Sequence, residues 1–215
     1  LFGLFEMTCN ILKEKSIDID KMNVFDKNNR TPVSYGFERI DNRLFDFLVG
    51  SSFNYKNDLS RIAYCCMSST LGTDDYTKKV ISLMDNVNIP MDNENPYSIL
   101  FYAIHAKNMN IIKFLIEEKG ADTNLCDTGS RNAYMYACTN GNKEIINYML
   151  SICTDLDHTT AMGWKLIHCV CYYGYAEHIY SLLEQNLDTT QAINQFENKP
   201  AEYLPLNLVE LNKNL

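Results

Sequence analysis

The feature that most constrains this chain is a recurring arrangement of two apolar pairs. In three successive segments a small or apolar pair ends at Ile104, Cys138 and Cys171, and a second pair begins seven residues later. The three end positions are 34 and 33 residues apart. A constant spacing of this kind is typical of repeat proteins, in which each unit buries its apolar face only by stacking on its neighbours.

The pattern within each unit predicts two helices. After the second pair opens, apolar residues recur at spacings of three and four, as in Ile111, Ile112, Leu115 and Ile116, which places them on one helical face. The unit between residues 62 and 84 is irregular. There we expect the second helix to open at Val80, after a seven-residue insertion within Ser68–Tyr76 that a mobile loop could form and whose deletion would leave folding nearly intact.

The repeat covers the whole chain of 215 residues. Residues 31–49 have the same internal offset of seven, and residues 11–18 resemble residues 115–122. Because the chain starts at a leucine, we expect it to be an ordered piece of something longer. We predict a single array, 1–215, with a partial first repeat at 1–25, repeats at 26–54, 55–92, 93–126, 127–159 and 160–193, and a C-terminal capping repeat at 194–215.

Several short motifs resemble the ankyrin repeat family. They are Thr31-Pro32, Leu166-Ile167-His168, the turn glycines Gly141 and Gly174, and Gly120-Ala121-Asp122. The resemblance implies an all-α solenoid of stacked helix-turn-helix repeats with short hairpin loops. The match is imperfect, since one repeat keeps Thr-Pro, one keeps the histidine, and Lys107 and Ile40 stand where glycine is usual.

Composition excludes several classes of protein. The longest apolar stretches fall far short of the ~20 residues that cross a bilayer, so we expect no membrane insertion. A net charge of −8 disfavours a nucleic-acid partner. The eight cysteines lie within apolar stretches and lack metal-ligand spacing, which indicates reduced, buried thiols in a cytoplasmic protein. We expect Cys65, Cys66, Cys138 and Cys171 in particular to be buried and metal-free.

We find no residues in the sequence that could carry catalysis. Cys169 and Cys171 lie near His168 and His178 in the sequence. Cys171, however, occupies a position where the repeat has a small buried residue. His168 stands where the family has a structural imidazole. The acidic pairs lack the spacing of a calcium loop, and the glycines are scattered at turns rather than forming a phosphate loop. We therefore expect neither an enzyme nor a cofactor.

The resemblance implies a scaffold that binds a partner protein on the concave face of the array. The binding positions are the hairpin tips and the residues just after each small-apolar pair. Trp164 is the chain's only tryptophan, and Trp, Tyr and Arg dominate interface energies. The positions carried over are Lys27, Arg30, Arg39, Tyr97, His105, Arg131, Met162, Trp164, Tyr172 and Tyr173, with Thr128 and Thr139 beside them.

An alternative of a different class stays open. The array could be a structural or targeting segment of a larger protein, either positioning a catalytic domain outside this chain or built into a large assembly such as a cytoskeletal lattice. Fold alone does not decide between these roles.

Overall fold

A computed structural model gives the structure of the protein and describes residues 59–68, 73–90, 97–140, 142–152 and 154–173, with single residues at 7, 10, 11, 14, 175 and 178. The chain divides into two compact units, Leu1–Ala121 and Asp122–Leu215. Within the described residues the regular structure is helical, apart from one isolated β-bridge between Thr159 and Lys165. The all-α prediction is confirmed.

The helices follow one another in pairs. In the first unit they are α1 (Leu59–Ser68) with α2 (Asp74–Ser82), and α3 (Ile99–His105) with α4 (Met109–Lys113), which continues into a π-helical turn over Phe114–Glu118. In the second unit they are α5 (Ala133–Asn140) with α6 (Lys143–Ile152), followed by α7 (Leu166–Tyr172).

Within each unit, the described helices pack on their neighbours in the repeat. In the first unit α1 contacts α2 and α3, and α2 contacts α4; in the second unit α5 contacts α6 and α7. The apolar pairs read from the sequence lie in these contacts, since Ile104, Ile111 and Ile112 are all fully buried. Burial of such side chains contributes about 1.5–3 kcal/mol each, so stacking is the main source of stability.

Asparagine side chains fix where several helices begin. The side-chain oxygens of Asn108, Asn132 and Asn142 each accept a hydrogen bond from the backbone N–H three residues later. Each bond satisfies one of the backbone donors that a helix start leaves unpaired, an effect of about 1 kcal/mol. These three of the chain's asparagines therefore define the helix boundaries.

Two turns adopt left-handed backbone angles. Gly120 has φ 68° and follows the end of the π-helical turn, and the N–H of Ala121 donates back to the carbonyl of Leu115 at 2.9 Å. Lys107 has φ 55° between α3 and α4. Lysine thus occupies the position where the family uses glycine, and its Cβ makes this angle costly.

The predicted insertion between α1 and α2 is shorter in the structure. Helix α2 begins at Asp74, so Val80 and Ile81 belong to its second half and do not open it. Thr77 occupies a buried apolar position near the helix start, and its hydroxyl donates to the carbonyl of Thr73 at 3.1 Å. Thr77 is polar, so a search for apolar pairs does not find the first turn of α2. Its hydroxyl can be buried because it is hydrogen-bonded to the backbone of the same turn.

The same segment also contacts the next repeat, which overturns the expectation of a dispensable loop. Thr73 caps α2 by accepting from the N–H of Tyr76 at 3.3 Å. Asp74 accepts hydrogen bonds from the side chains of Asn108 at 2.7 Å and Asn110 at 2.6 Å. Excision of seven residues from Ser68–Tyr76 would therefore remove a helix cap or a link between repeats, and we expect it to destabilise the first unit.

Candidate functional site

Two hairpin turns of similar construction precede α5 and α7. In the first, Asp127 and Arg131 are joined by a backbone hydrogen bond of 2.9 Å, and Ser130 takes a left-handed φ of 58°. In the second, the N–H of Thr160 donates to the carbonyl of Trp164 at 2.8 Å, and Gly163 takes a φ of 73°. The repeat therefore places equivalent tips beside two successive first helices.

A buried carboxylate holds the first hairpin closed. The side chain of Asp127 is fully buried, and its Oδ1 accepts from the N–H groups of Gly129 and Arg131, both at 2.8 Å. Its Oδ2 accepts from Nε of Arg131 at 2.6 Å. A buried carboxylate is stable only when its oxygens are satisfied in this way, so the geometry of the turn depends on Asp127.

The two hairpins are bonded to each other. The N–H of Ala161 donates to the carbonyl of Gly129 at 3.2 Å. Nε2 of His158 lies 2.7 Å from the carbonyl oxygen of Ser130. These bonds set the distance between the tips and hold the surface that they share.

A cavity of about 490 Å³ lies between the hairpins and the first helices of the second unit. Its volume falls in the range of sites that hold a small molecule or a few side chains of a peptide. The lining combines hydroxyl groups, one guanidinium and an apolar wall. The residues are Thr128, Gly129, Arg131, Thr139, Thr160, Ala161, Met162, Trp164, Cys169 and Tyr173.

The apolar wall extends outside the cavity as an aromatic cluster. The rings of Trp164 and Tyr172 meet edge to face with centroids 5.4 Å apart, and those of Tyr172 and Tyr173 meet in the same way at 5.0 Å. Met162, Tyr172 and Tyr173 are 55%, 52% and 42% exposed. Large side chains held in place yet open to solvent are the usual anchors of protein interfaces.

The titratable groups of the cavity are not reactive ones. Burial raises the pKa of the Cys169 thiol to about 12, against a smaller opposing effect of the Arg131 charge. Burial likewise raises the pKa of Tyr173. At neutral pH both groups are protonated, so the cavity presents hydrogen-bonding and apolar surface rather than a nucleophile.

One cluster beside the hairpins has the elements of a catalytic triad but the wrong hydrogen bonding. Sγ of Cys126 lies 3.4 Å from Nε2 of His158, whose Nδ1 lies 3.8 Å from Asp155. Nε2 must carry a proton to donate to the carbonyl of Ser130, so it cannot accept the thiol proton. Burial, followed by the charge of Asp127, also raises the pKa of Cys126.

The structure brings together four of the predicted binding residues. Arg131, Met162, Trp164 and Tyr173 line the cavity, with Thr128 and Thr139. Tyr172 contacts Trp164 but does not line the cavity.

The other predicted binding residues lie elsewhere or outside the described residues. In the first unit, His105 is exposed, whereas Tyr97 is half-buried with its ring 5.8 Å from that of Phe101. Lys27, Arg30 and Arg39 fall outside the residues that the structure describes.

The sequence reading missed four lining residues: Gly129, Thr160, Ala161 and Cys169. A stricter use of the period would have found Ala161, which lies 33 residues after Thr128. Gly129 precedes Met162 by the same interval. Thr160 and Cys169 had no signal of this kind, because Asp127 and Tyr136, the residues 33 positions before them, are not among the predicted binding positions.

The predictions for the buried thiols are confirmed where the structure describes them. Cys66, Cys138 and Cys171 are buried thiols rather than disulfides. The prediction of a buried thiol is wrong for Cys126, which is exposed in the loop before the first hairpin. The side chain of Cys65 lies outside the described residues.

His168 has the structural role expected of it. The side chain is fully buried, and its Nδ1 accepts from the backbone N–H of Lys165 at 3.1 Å. The imidazole therefore holds the start of α7.

Within the described parts of the chain, no three His, Cys, Asp or Glu side chains are grouped so as to hold a metal ion. None of the helices described there has the length and apolar character needed to span a membrane.

A family model described as ankyrin repeats, in three copies, matches residues 62–160 and 100–193. Together these ranges cover more than half of the chain and include both hairpins and the whole cavity lining. No curated protein matches the chain significantly.

Proposed function

Because this chain belongs to the ankyrin repeat family, whose repeats generally mediate protein–protein interaction, we propose that it is a non-catalytic module that binds a partner protein through the cavity between its two hairpins. The single observation that supports this most is the meeting of Arg131, Met162, Trp164 and Tyr173 in one cavity. These residues come from two successive repeats: three lie in the hairpins, and Tyr173 caps the C-terminal end of α7.

The composition of this surface supports a protein partner. Trp, Tyr, Met and Arg are the residue types enriched at interfaces, and here they are adjacent. The hydrogen bonds between the hairpins hold the surface before any partner arrives, which reduces the entropy that binding would cost.

The remaining features of the proposal follow from charge and thiol chemistry. An overall charge of −8 opposes binding to nucleic acid. Buried thiols without disulfides suit the reducing cytoplasm. The role needs no cofactor.

Peptide selection followed by alanine substitution tests the proposal. A phage-displayed library of random dodecapeptides is selected on the full 215-residue chain, and the affinity of the selected peptides is then measured by fluorescence anisotropy. We expect Trp164→Ala and Tyr173→Ala each to weaken binding by about 2 kcal/mol, or roughly 30-fold.

The control is Ile89→Ala, which removes an exposed apolar side chain of the first unit, outside the cavity lining. It should leave affinity unchanged. Thermal unfolding of each variant separates lost contacts from lost folding, and Tyr173, being more exposed than Trp164, is the less disruptive change. Folded variants that bind as tightly as the wild type would show that the partner binds elsewhere.

A further inference from the structure

The cavity differs in charge from the chain around it. Among the described residues that line it, Arg131 is the only charged one. The carboxylate of Asp127 lies beneath the guanidinium and is fully buried, while the Arg131 side chain is 36% exposed. A partner therefore meets the cation and not the anion.

Arg131 also retains donors for a partner. Its Nε is bonded to Asp127, and its Cζ lies 5.3 Å from the ring centroid of Tyr136, which orients the guanidinium plane. Within the described part of the chain, no acceptor bonds to its two Nη nitrogens. An Nη pair on a positioned guanidinium matches the two oxygens of a carboxylate.

The positive charge acts across the cavity. The Arg131 charge opposes the rise in pKa that burial causes at both Cys169 and Tyr173, so its field reaches these two lining residues. The net charge of −8 would repel an acidic partner from afar, but exposed charges are screened beyond about 8 Å at physiological salt. At contact distance the exposed guanidinium of Arg131, rather than the net charge, determines whether a carboxylate is attracted.

The apolar wall lies next to this cation. Met162, Trp164 and Tyr173 line the same cavity as Arg131. The exposed hydroxyl-bearing side chain of Thr128 lies on the hairpin side. A carboxylate on the guanidinium would therefore place a neighbouring side chain of its own chain against the aromatic cluster.

We propose that the cavity binds an extended segment of the partner protein that carries an Asp or Glu side chain next to a large apolar or aromatic residue. This inference rests on the proposed function. The carboxylate would accept from the Nη groups of Arg131, and the apolar residue would pack on Trp164 and Tyr173. Charge and apolar contact together would give specificity that neither provides alone.

A side-chain carboxylate fits better than a chain terminus. In sequence Arg131 lies between the hairpin tip, with Thr128 and Gly129, and Thr139 on α5, and all of these residues line the cavity. Lining residues therefore lie on both sides of Arg131 along the chain, on the hairpin and on α5. A segment that continues past the guanidinium can contact lining residues of both, whereas a chain terminus bound there could not continue past it.

The test compares matched charge variants with the same dodecapeptide library. The wild type should select peptides with Asp or Glu beside an aromatic or large aliphatic residue. These peptides should bind at least tenfold more weakly to Thr128→Glu than to Thr128→Gln, since the two variants differ only by the carboxylate that Thr128→Glu adds to the lining. Arg131→Gln should weaken binding similarly.

Changes in the peptide complete the cycle. Replacing its Asp or Glu by Asn or Gln should weaken binding to the wild type at least tenfold and leave binding to Arg131→Gln almost unchanged. Amidation of the peptide C-terminus should have no effect. If Arg131→Gln fails to fold, the Thr128 pair and the peptide substitutions still decide the question.

The outcomes separate this inference from the proposed function. Peptides that lose affinity on Trp164→Ala and Tyr173→Ala but carry no acidic residue, or tolerate Thr128→Glu, would overturn the carboxylate and leave the binding groove standing. Loss of binding on amidation would assign Arg131 to a chain terminus and overturn the inference. Peptides indifferent to Trp164→Ala and Tyr173→Ala, or no enrichment at all, would overturn both proposals.

Discussion

Two carboxylates, one in each unit, hold neighbouring segments in place by different means. Asp74 is partly exposed and joins two repeats of the first unit by accepting from the neutral amides of Asn108 and Asn110. Asp127 in the second unit is fully buried and accepts from two backbone N–H groups and from Arg131. The first links helices, and the second shapes a turn.

The difference in burial determines how much stability the protein loses when each carboxylate is removed. Water can replace the partners of an exposed carboxylate, so its removal costs little. A buried donor or charge that loses its partner has no water to replace it, and the cost is several kcal/mol. Around Asp127 that cost would fall on the hairpin that presents Arg131 to the cavity.

The largest effect is expected from Asp127→Ala. It leaves the N–H groups of Gly129 and Arg131, and Nε of Arg131, without their acceptor, and we expect a loss of about 3 kcal/mol in the free energy of unfolding. Urea denaturation followed by circular dichroism measures it. The control is Asp157→Ala, which removes a carboxylate that is 77% exposed and paired with Lys165 at 2.8 Å. Equal losses in both variants would show that burial does not separate these groups.

A smaller effect is expected from Asp74→Ala, about 1 kcal/mol at pH 7. Hydrogen bonds from Asn108 and then Asn110 lower the pKa of Asp74 in the folded protein. The stabilisation is therefore complete above the unfolded-state pKa of about 3.9 and is lost as the pH falls through the lower folded value.

The pH dependence distinguishes this link from a general helix effect. The difference in urea midpoint between wild type and Asp74→Ala should narrow as the pH falls below about 4. Asp75→Ala serves as the control, because Asp75 shares the first turn of α2 and is exposed. If it costs as much as Asp74→Ala, the helix dipole rather than the link between repeats is responsible.

The smallest effect is a gain. Lys107→Gly removes the Cβ from a residue with φ 55°, and we expect about 0.5–1 kcal/mol of added stability. The same exchange at Lys113, where α4 continues into the π-helical turn, should instead cost about 1 kcal/mol. Loss of stability from Lys107→Gly would mean that the unfolded chain gains more freedom than the turn loses strain.

Apolar spacing predicted the positions that stack. Ile111, Ile112 and Ile145 are buried on second helices as the period requires, and Gly120 follows the end of its helical turn with a left-handed angle. The start of α2 was misplaced because Thr77, a polar residue, occupies an apolar position. Apolar spacing therefore predicts burial only where the buried residue is itself apolar.

The sequence by itself predicted the helical repeat, because apolar pairs recur at a fixed interval. Its short motifs indicated the family, and the resemblance to that family supplied six residues of the cavity lining. Only the tertiary structure decided that Asp127 is buried beneath Arg131, that the hairpins bond through Ala161 and Gly129, and that Cys126 is exposed. These features depend on turn angles and on hydrogen bonds between residues about 30 positions apart. No local pattern of residues predicts them, because each depends on the backbone position of a residue that comes close only after folding.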